Sequence, residues 1–557
     1  MIVQSIFAAL FLTADIGLAS QSPHADSGNG TVFDAQFSSL IQEAMDANNI
    51  TGMSVGVLLP NGGVEFGAWG NRTESGETIA PDAHCRKDFL SASLGILMQD
   101  FSTGKNATAL PHGVTEFNWD TKLRDLLPGE WMTEDEFSTS KADLVDLLSH
   151  VTGLPRHDGS YSPEDSPRDL VLRMRDLRAA YEFRQLFEYN NQMYIAGSYV
   201  VSKFSGMAYR DFVETRIMLP LNMSSSTMHP DRVSENDTFS QTWTPTKRRI
   251  PFFITEHTAD LIAGAGGVIS SAKDMLLWAR LIMNGGVDPQ TNVQIIPNAT
   301  VNLVTTGHSV FSNEGNEFFS VMEYGLGWVR TAYRGHELIW HDGAAQGVSS
   351  FCALFPQDNF AIVVLANTAG ALTQNVAFAV ADRIIGSDPN APLPSANATS
   401  SAPMGASPKS SASVLSGLAG TYSNVGYGNF TLCSSAQPTT AQCADVIQDF
   451  KRVDAAAGKP SNSAELYSAW SRFWGTHLRL TPISGNDYIG EITTLYVDGY
   501  GADHTPFEDP VIDFKITFME EGGKVVGLGF FVASSETWRE KKGGSVRDIA
   551  DAWFDKL

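Results

Sequence analysis

Basic side chains are scarce in this chain. Against 62 Asp and Glu there are 38 Lys and Arg, a formal net charge of −24 over 557 residues. A protein that grips nucleic acid needs a basic face to displace the counterions of phosphates, so that class is excluded. Cysteine is scarce too, and four residues cannot build a disulfide scaffold over this length. Beyond the N-terminal segment no apolar run has the length needed to cross a bilayer, so the mature chain is expected to be soluble. Charged residues make up 18% of the composition and hydrophobic ones 43%, which excludes disorder throughout. No G-x-S-x-G elbow, H-E-x-x-H pair, Walker loop or clustered Cys/His set occurs. An α/β-hydrolase is therefore not expected, nor a metal or a cofactor.

What is present begins with Ile6–Leu12, a short apolar run. Small residues at Gly17, Ala19 and Ser20 follow, then polar Gln21. This reads as a signal peptide over 1–20, although its first residues lack Lys and Arg; the other reading is a buried first helix. Asn-x-Ser/Thr sequons start at Asn29, Asn49, Asn71, Asn106, Asn222, Asn236, Asn298, Asn397 and Asn429, as suits a secreted glycoprotein. Cys433 and Cys443 are close enough to staple a hairpin in an oxidising compartment, or else stand as two thiols.

Along the chain, Thr31 is placed to cap a helix whose Phe33, Phe37, Leu40, Ile41 and Met45 share one face. Met53–Leu59 and Val64–Trp69 read as strands joined through Asn61-Gly62-Gly63. Leu90, Leu94, Leu97 and Phe101 form a helical stripe, and helices are also expected over Leu144–Leu148 and Met193–Phe204. Strand character returns at Glu337–Trp340, Val348–Phe355 and Phe360–Ala366, before a helix from Leu372 to Ile385. Terminal helices can then cover one antiparallel sheet built from both ends of a domain over 32–386, an α+β arrangement. Residues 387–410 are rich in Pro, Ser, Ala and Asn and read as a linker. From 411 to 557 short strands with Gly-rich turns predict an all-β, barrel-like domain.

Four segments carry chemistry. Leu147-Leu148-Ser149-His150-Val151-Thr152-Gly153-Leu154-Pro155 is a helix end running into a turn. Tyr189-Asn190-Asn191 precedes a helix. Ala263-Gly264-Ala265-Gly266-Gly267 precedes Ser270-Ser271, and His341-Asp342-Gly343 ends a strand. In this order and context they resemble the serine β-lactamase/penicillin-binding-protein-like family, especially the esterase and peptidase relatives of class C β-lactamases. The resemblance covers about residues 32–386. It implies a β-lactamase/transpeptidase-like fold with a helical subdomain, and cleavage of an ester or amide bond in a small molecule or peptide through an acyl-enzyme. It makes Lys87 the amine of the S-x-x-K motif, Tyr189 the general base and leaving-group acid, and Asn191 a substrate-binding amide. His341 would replace the usual strand Lys, and Gly343 would let substrate pass close to the strand. The histidine form of that strand motif favours esters or peptides over β-lactams.

The first motif departs from the pattern. Lys87-Asp88-Phe89-Leu90 matches it from the Lys onward, but three residues earlier stands His84 instead of Ser. Taking Ser93 or Ser91 as nucleophile puts Ile96 or Leu94 in the Lys position, where no side chain accepts a proton. Three readings stay open: a splicing or gene-boundary error over 83–86, a non-catalytic relative that binds a ligand, or a substitute nucleophile such as His84 or Ser91. Each motif residue also has a plainer role: Lys87 solvated at a helix start, Tyr189 buried with a satisfied hydroxyl, Asn191 an N-cap, His341 packed at a strand end. His150 reads as structural, ending its helix.

Overall fold

A computed structural model describes residues 31–79, 87–234, 239–387, 417–435, 440–459 and 464–557. The signal segment, most of the linker, His84 and the sequons at Asn29, Asn236 and Asn397 lie outside the described residues. The described chain divides into two compact units, one of residues 31–109 with 200–387, the other of 110–199 with 417–557.

In chain order, helix α1 (Ala35–Ala47) begins where the Asp34 side chain accepts the Phe37 N–H at 2.8 Å, satisfying a donor that the first turn leaves unpaired. Asp34 is thus the cap, one turn later than Thr31, whose hydroxyl donates instead to Glu65 at 2.6 Å. Phe37, Ile41 and Met45 recur every fourth residue and bury one face. The hairpin β1 (Gly52–Leu58) and β2 (Val64–Gly70) follows, its turn drawn tight by Gly62 at φ +83°. Next come α2 (Asp88–Ser102), α3 (Leu144–Leu148), α4 (Asn191–Ser205), α5 (Glu256–Gly266) and α6 (Ala272–Met283). Six strands close this stretch: β3 (Ser309–Ser312), β4 (Met322–Tyr324), β5 (Val329–Tyr333), β6 (His336–Ala345), β7 (Val348–Phe355) and β8 (Phe360–Ala366). Helix α7 (Leu372–Ile385) ends it.

Strands β1 to β8 form one antiparallel sheet in the order β2-β1-β8-β7-β6-β5-β4-β3. It is assembled from both ends of the chain segment, since β1 pairs with β8, Met53 facing Ala366. Every residue of β1, β7 and β8 is buried, which requires cover on both faces of the sheet. Helices α6 and α7 pack on these central strands and α1 on β2. At Gly56 the approach of α6 is so close that a Cβ would lie 3.0 Å from Leu276 Cδ1. This is the α+β layer expected from the sequence. One difference matters for the site: β6 runs on through Ala345, so His341 sits within the strand instead of ending it.

The other unit pairs the helical stretch 110–199 with a closed antiparallel barrel. The barrel strands are β9 (Gly420–Asn424), β10 (Gly428–Ser434), β11 (Leu466–Arg472), β12 (Gly475–Ser484), β13 (Asp487–Tyr496), β14 (Phe507–Glu521), β15 (Lys524–Phe531) and β16 (Ala552–Lys556). The last strand pairs with both β15 and β9 and so removes the sheet edges. This C-terminal portion is β-rich but not purely β: helix α8 (Ala441–Ala456) covers part of the barrel. Cys433 and Cys443 are joined, and the bridge ties β10 to the first turn of α8 where a hairpin staple was expected. Val446, Ile447, Phe450 and Val453 of α8 form a small core with the disulfide and Tyr467. Beside it Arg479 is buried among three carboxylates. It bonds Asp454, Glu465 and Glu508, each at 2.7 Å, and lies 4.7 Å above the Phe450 ring. Among the described residues no helix is long and apolar enough to cross a membrane.

Candidate active site

Lys87 precedes α2 and is 7% exposed. Its Nζ donates to the Ala265 carbonyl at 2.5 Å, in the last turn of α5, where carbonyls have no partner inside their own helix. The Gly-rich segment therefore presents a helix C-terminus to the amine, a position that favours a cation. Lys87 is not the solvated helix-start lysine of the plainer reading. The adjoining helix is anchored firmly: Phe89 is fully buried and stacks on Trp278 at 4.0 Å, and Trp278 Nε1 donates to Asp88 Oδ2 at 2.6 Å.

His341, also in the sheet unit, is 5% exposed. Its Nε2 lies 3.1 Å from the Tyr324 hydroxyl, and its Nδ1 contacts the Asp342 carbonyl. A carbonyl only accepts, so Nδ1 carries a proton; in the neutral ring Nε2 is then the acceptor for Tyr324. Tyr324, in β4, is a partner the sequence did not reveal. Gly343 pairs with Ser350 across β6 and β7 and is half-buried, with exposed Ala344 beyond it.

Tyr189, Asn191 and His150 belong to the barrel unit. The motif Ser149–Pro155 ends α3 with His150 at φ +60° and Gly153 at φ +83°. A Cβ at Gly153 would lie 2.3 Å from the Tyr181 carbonyl, so the turn requires glycine. His150 is buried and its Nδ1 accepts from the Asn190 N–H at 3.2 Å, the structural role expected of it. Its ring packs 4.7 Å from that of Tyr189, which is half-buried. Asn190, not Asn191, caps α4: its Oδ1 accepts the Gln192 N–H at 2.8 Å. Asn191 is thereby released from capping, and its Nδ2 donates to Asp158 Oδ2 at 3.0 Å.

Two residues just after the Gly-Leu-Pro turn escaped the sequence reading. Asp158 is 2% exposed, pairs with Arg156, and accepts from the Tyr161 hydroxyl at 2.9 Å. Arg156 lies over the Tyr189 ring, 5.5 Å from its centroid. Burial lowers the Arg156 pKa, but the Asp158 charge outweighs it and the guanidinium is held above its ordinary value. The only sequence signal was an Arg-x-Asp spacing next to a recognised turn. A small cleft beside the pair is lined by Arg156, Asp158, Gly159, Phe514, Phe530 and Val532.

Next to Tyr189 along the chain, burial pushes Glu188 up to about 7 from 4.5, against hydrogen bonds from Ser534. Burial likewise pushes Asp551 up to about 6 from 3.8, although Val532 and Ala533 N–H groups donate to it. In both cases the folded state binds the proton more tightly, so the stability is present at low pH and is lost as pH rises through these values. A tenfold change in proton affinity is worth about 1.4 kcal/mol. Melting followed from pH 5 to 8 is therefore expected to fall with rising pH, and Glu188→Gln to flatten the fall. A Glu188→Gln curve parallel to that of the parent contradicts this.

The beta-lactamase family profile matches residues 37–383. The unguisins hydrolase of Aspergillus campestris is 27% identical over 355 residues, covering 61% of this chain and 62% of that protein. Penicillin-binding protein 4* of Bacillus subtilis is 23% identical over 242 residues, 40% of this chain and 50% of its own length. The chain thus spans about three fifths of the length of the fungal relative and half of the bacterial one. Among solved structures, the octameric penicillin-binding protein homologue from Pyrococcus abyssi shares the fold with a TM-score of 0.52 at 16% identity. That match covers 94% of this chain and 99% of the other. The motif order, the sheet built from both chain ends and the profile over more than half of the residues agree: this chain belongs to the beta-lactamase family of serine hydrolases.

Proposed function

We propose that this protein is a secreted hydrolase that cleaves an ester or amide bond of a small molecule or peptide by way of an acyl-enzyme. The observation that carries the reading is Lys87, a buried amine seated on a helix C-terminus at the motif position where the family places its lysine. The group that attacks and carries the acyl stands at position 84, where this sequence has His in place of Ser; Tyr189 takes its proton and returns it to the leaving group, water then releases the acyl, and Asn191 holds the substrate. His341 stands in for the strand lysine, Gly343 lets the substrate run beside β6, and backbone N–H groups beyond it stabilise the oxyanion. The fungal relative is itself named as a hydrolase, which supports the reaction class. A p-nitrophenyl ester assay with a fluorophosphonate label tests it: turnover and labelling are expected, and a folded protein that shows neither refutes the proposal.

A second reading has one observation in its favour, His84 at the nucleophile position. On that reading the protein binds a ligand without turning it over. Sequencing the transcript across codons 78–90 separates the two, because a Ser three residues before Lys87 restores the full motif.

Secretion is supported by the bridge between Cys433 and Cys443 and by exposed sequons at Asn49, Asn71, Asn222, Asn298 and Asn429. Protein collected from culture medium of a eukaryotic host is expected to lose mass on N-glycosidase treatment. Retention in the cell with an unmodified mass counts against secretion.

A further inference from the structure

We propose that Asp158 is a positioning residue that holds Tyr189 and Asn191 for the reaction, and that the C-terminal barrel keeps Asp158 in place. The inference rests on the roles proposed above for those two side chains. Both lean on one carboxylate. Asp158 Oδ2 receives the Asn191 amide at 3.0 Å and also pairs with Arg156, whose guanidinium covers the Tyr189 ring. Its other oxygen receives the Tyr161 hydroxyl. A carboxylate buried this deeply persists only where its lone pairs are occupied, so the three donors and the acid stabilise one arrangement.

The turn that carries Asp158 is a short one, Asp158–Ser160, with no side-chain cap at its start. Its place is fixed from the barrel. His157 lies between the Tyr427 hydroxyl, 2.8 Å from Nδ1, and the Arg178 carbonyl, 2.9 Å from Nε2. Burial pushes this imidazole down to about 4, so it is neutral; Nε2 donates to the carbonyl and Nδ1 accepts from Tyr427. Trp474 Nε1 donates to the Tyr161 hydroxyl at 2.8 Å, the same hydroxyl that donates to Asp158. Phe473 N–H donates to the Tyr161 carbonyl at 3.1 Å. At Gly159 the barrel wall is so near that a Cβ would stand 3.3 Å from Ile492 and 3.4 Å from Tyr427. A relay therefore runs from Trp474 through Tyr161 to Asp158, and from there to Asn191 and, by way of Arg156, to Tyr189. This gives the barrel a task in catalysis: it supports the general base without touching substrate.

The test compares the full-length protein with Asp158→Asn, Tyr427→Phe and Trp474→Phe. Three quantities are read: kcat and KM on a p-nitrophenyl ester, the melting temperature, and the ring signal of Tyr189 in 13C-tyrosine-labelled protein, assigned by its loss in Tyr189→Phe. Asp158→Asn is expected to lower kcat about tenfold or more with KM little changed, the size of effect that a slightly misplaced catalytic group produces. The two barrel variants are expected to lower kcat several-fold, and all three to move the Tyr189 signal. Val425→Ser, at an exposed barrel position, is expected to change none of these. Folded variants with unchanged kcat and an unmoved Tyr189 signal overturn the proposal. If Asp158→Asn does not fold, Tyr427→Phe and Trp474→Phe, which each delete one donor group, decide in its place. If the parent neither hydrolyses esters nor takes the label, the proposed function fails separately, and the Tyr189 signal alone decides whether the clamp exists.

Discussion

Lys87→Met is expected to reduce ester turnover by about three orders of magnitude or more in kcat/KM while the protein still folds, the order of loss seen when one member of a nucleophile–base pair is removed. Met matches the length and apolar stem of Lys, so the buried site at 87 stays filled. What disappears is the amine and its hydrogen bond to the Ala265 carbonyl. Leaving that carbonyl unpaired costs about 1–3 kcal/mol, which a chain of this size absorbs with a lower melting temperature. A merely structural lysine shows the stability loss and keeps its turnover. Measuring kcat/KM and melting on the same preparation distinguishes the two, and full activity in the folded variant removes Lys87 from the mechanism.

Arg479→Met carries the largest expected effect on stability, about 3–5 kcal/mol, the range for removing one partner from a buried ionic cluster. The guanidinium serves Asp454, Glu465 and Glu508 at once and is 5% exposed, as counted for its side chain. Burial alone lowers its pKa, but the hydrogen bond to Asp454 and the charge of Glu508 raise it far above the ordinary value, so it is charged at every accessible pH. Methionine retains the apolar stem against Phe450 and Tyr467 and leaves three carboxylates facing one another, with only the Lys459 amine, 3.2 Å from Glu508, to offset them among the contacts described. Because Asp454 lies on α8 and Glu508 on β14, the loss is expected to loosen α8 from the barrel. Denaturant unfolding at pH 7 should show the drop. A variant as stable as the parent at pH 7 contradicts this.

Much of the sheet unit was legible because its elements announce themselves locally. The Asn-Gly-Gly turn, the stripe Leu90, Leu94, Leu97 and Phe101, and the strand-rich runs of β7 and β8 about a Pro-Gln-Asp-Asn turn each point to one structure. The layers close as those runs require. The barrel portion was harder. Helix α8 carries a clean stripe of Val446, Ile447, Phe450 and Val453, but Asp, Gln, Lys and Arg dilute it and strands flank it on both sides. Strand β16 has only five residues, too few for a period to show, and it is defined by pairing with β9 and β15, which lie far away in sequence. Helix caps differed by one residue in one case and by three in the other. Asp34 took the place of Thr31, one turn earlier, and Asn190 that of Asn191, because capping residue types recur on both sides of each helix start.

The motif positions were visible as spacing, but their environments were not. Nothing in Tyr189-Asn190-Asn191 says that the third residue donates to an aspartate 33 positions earlier. Nor does the histidine motif disclose Tyr324, whose hydroxyl meets His341 Nε2 from β4, two strands away in the sheet. Hydrogen bonds between distant segments depend on how the chain is folded, and local pattern carries little information about them. Asp158 and Arg156 were overlooked for the same reason: in the sequence they are two charged residues after a turn, a pattern that usually marks a solvated loop.

Fluorophosphonate labelling of the intact protein, read by mass, bears most directly on the proposed hydrolase function. One adduct per chain, in the peptide that carries Lys87, prevented by prior heat denaturation and lost in Lys87→Met and Tyr189→Phe, is the predicted result. An unlabelled protein that is folded and inert toward esters contradicts the proposal and leaves the family's fold in the service of binding.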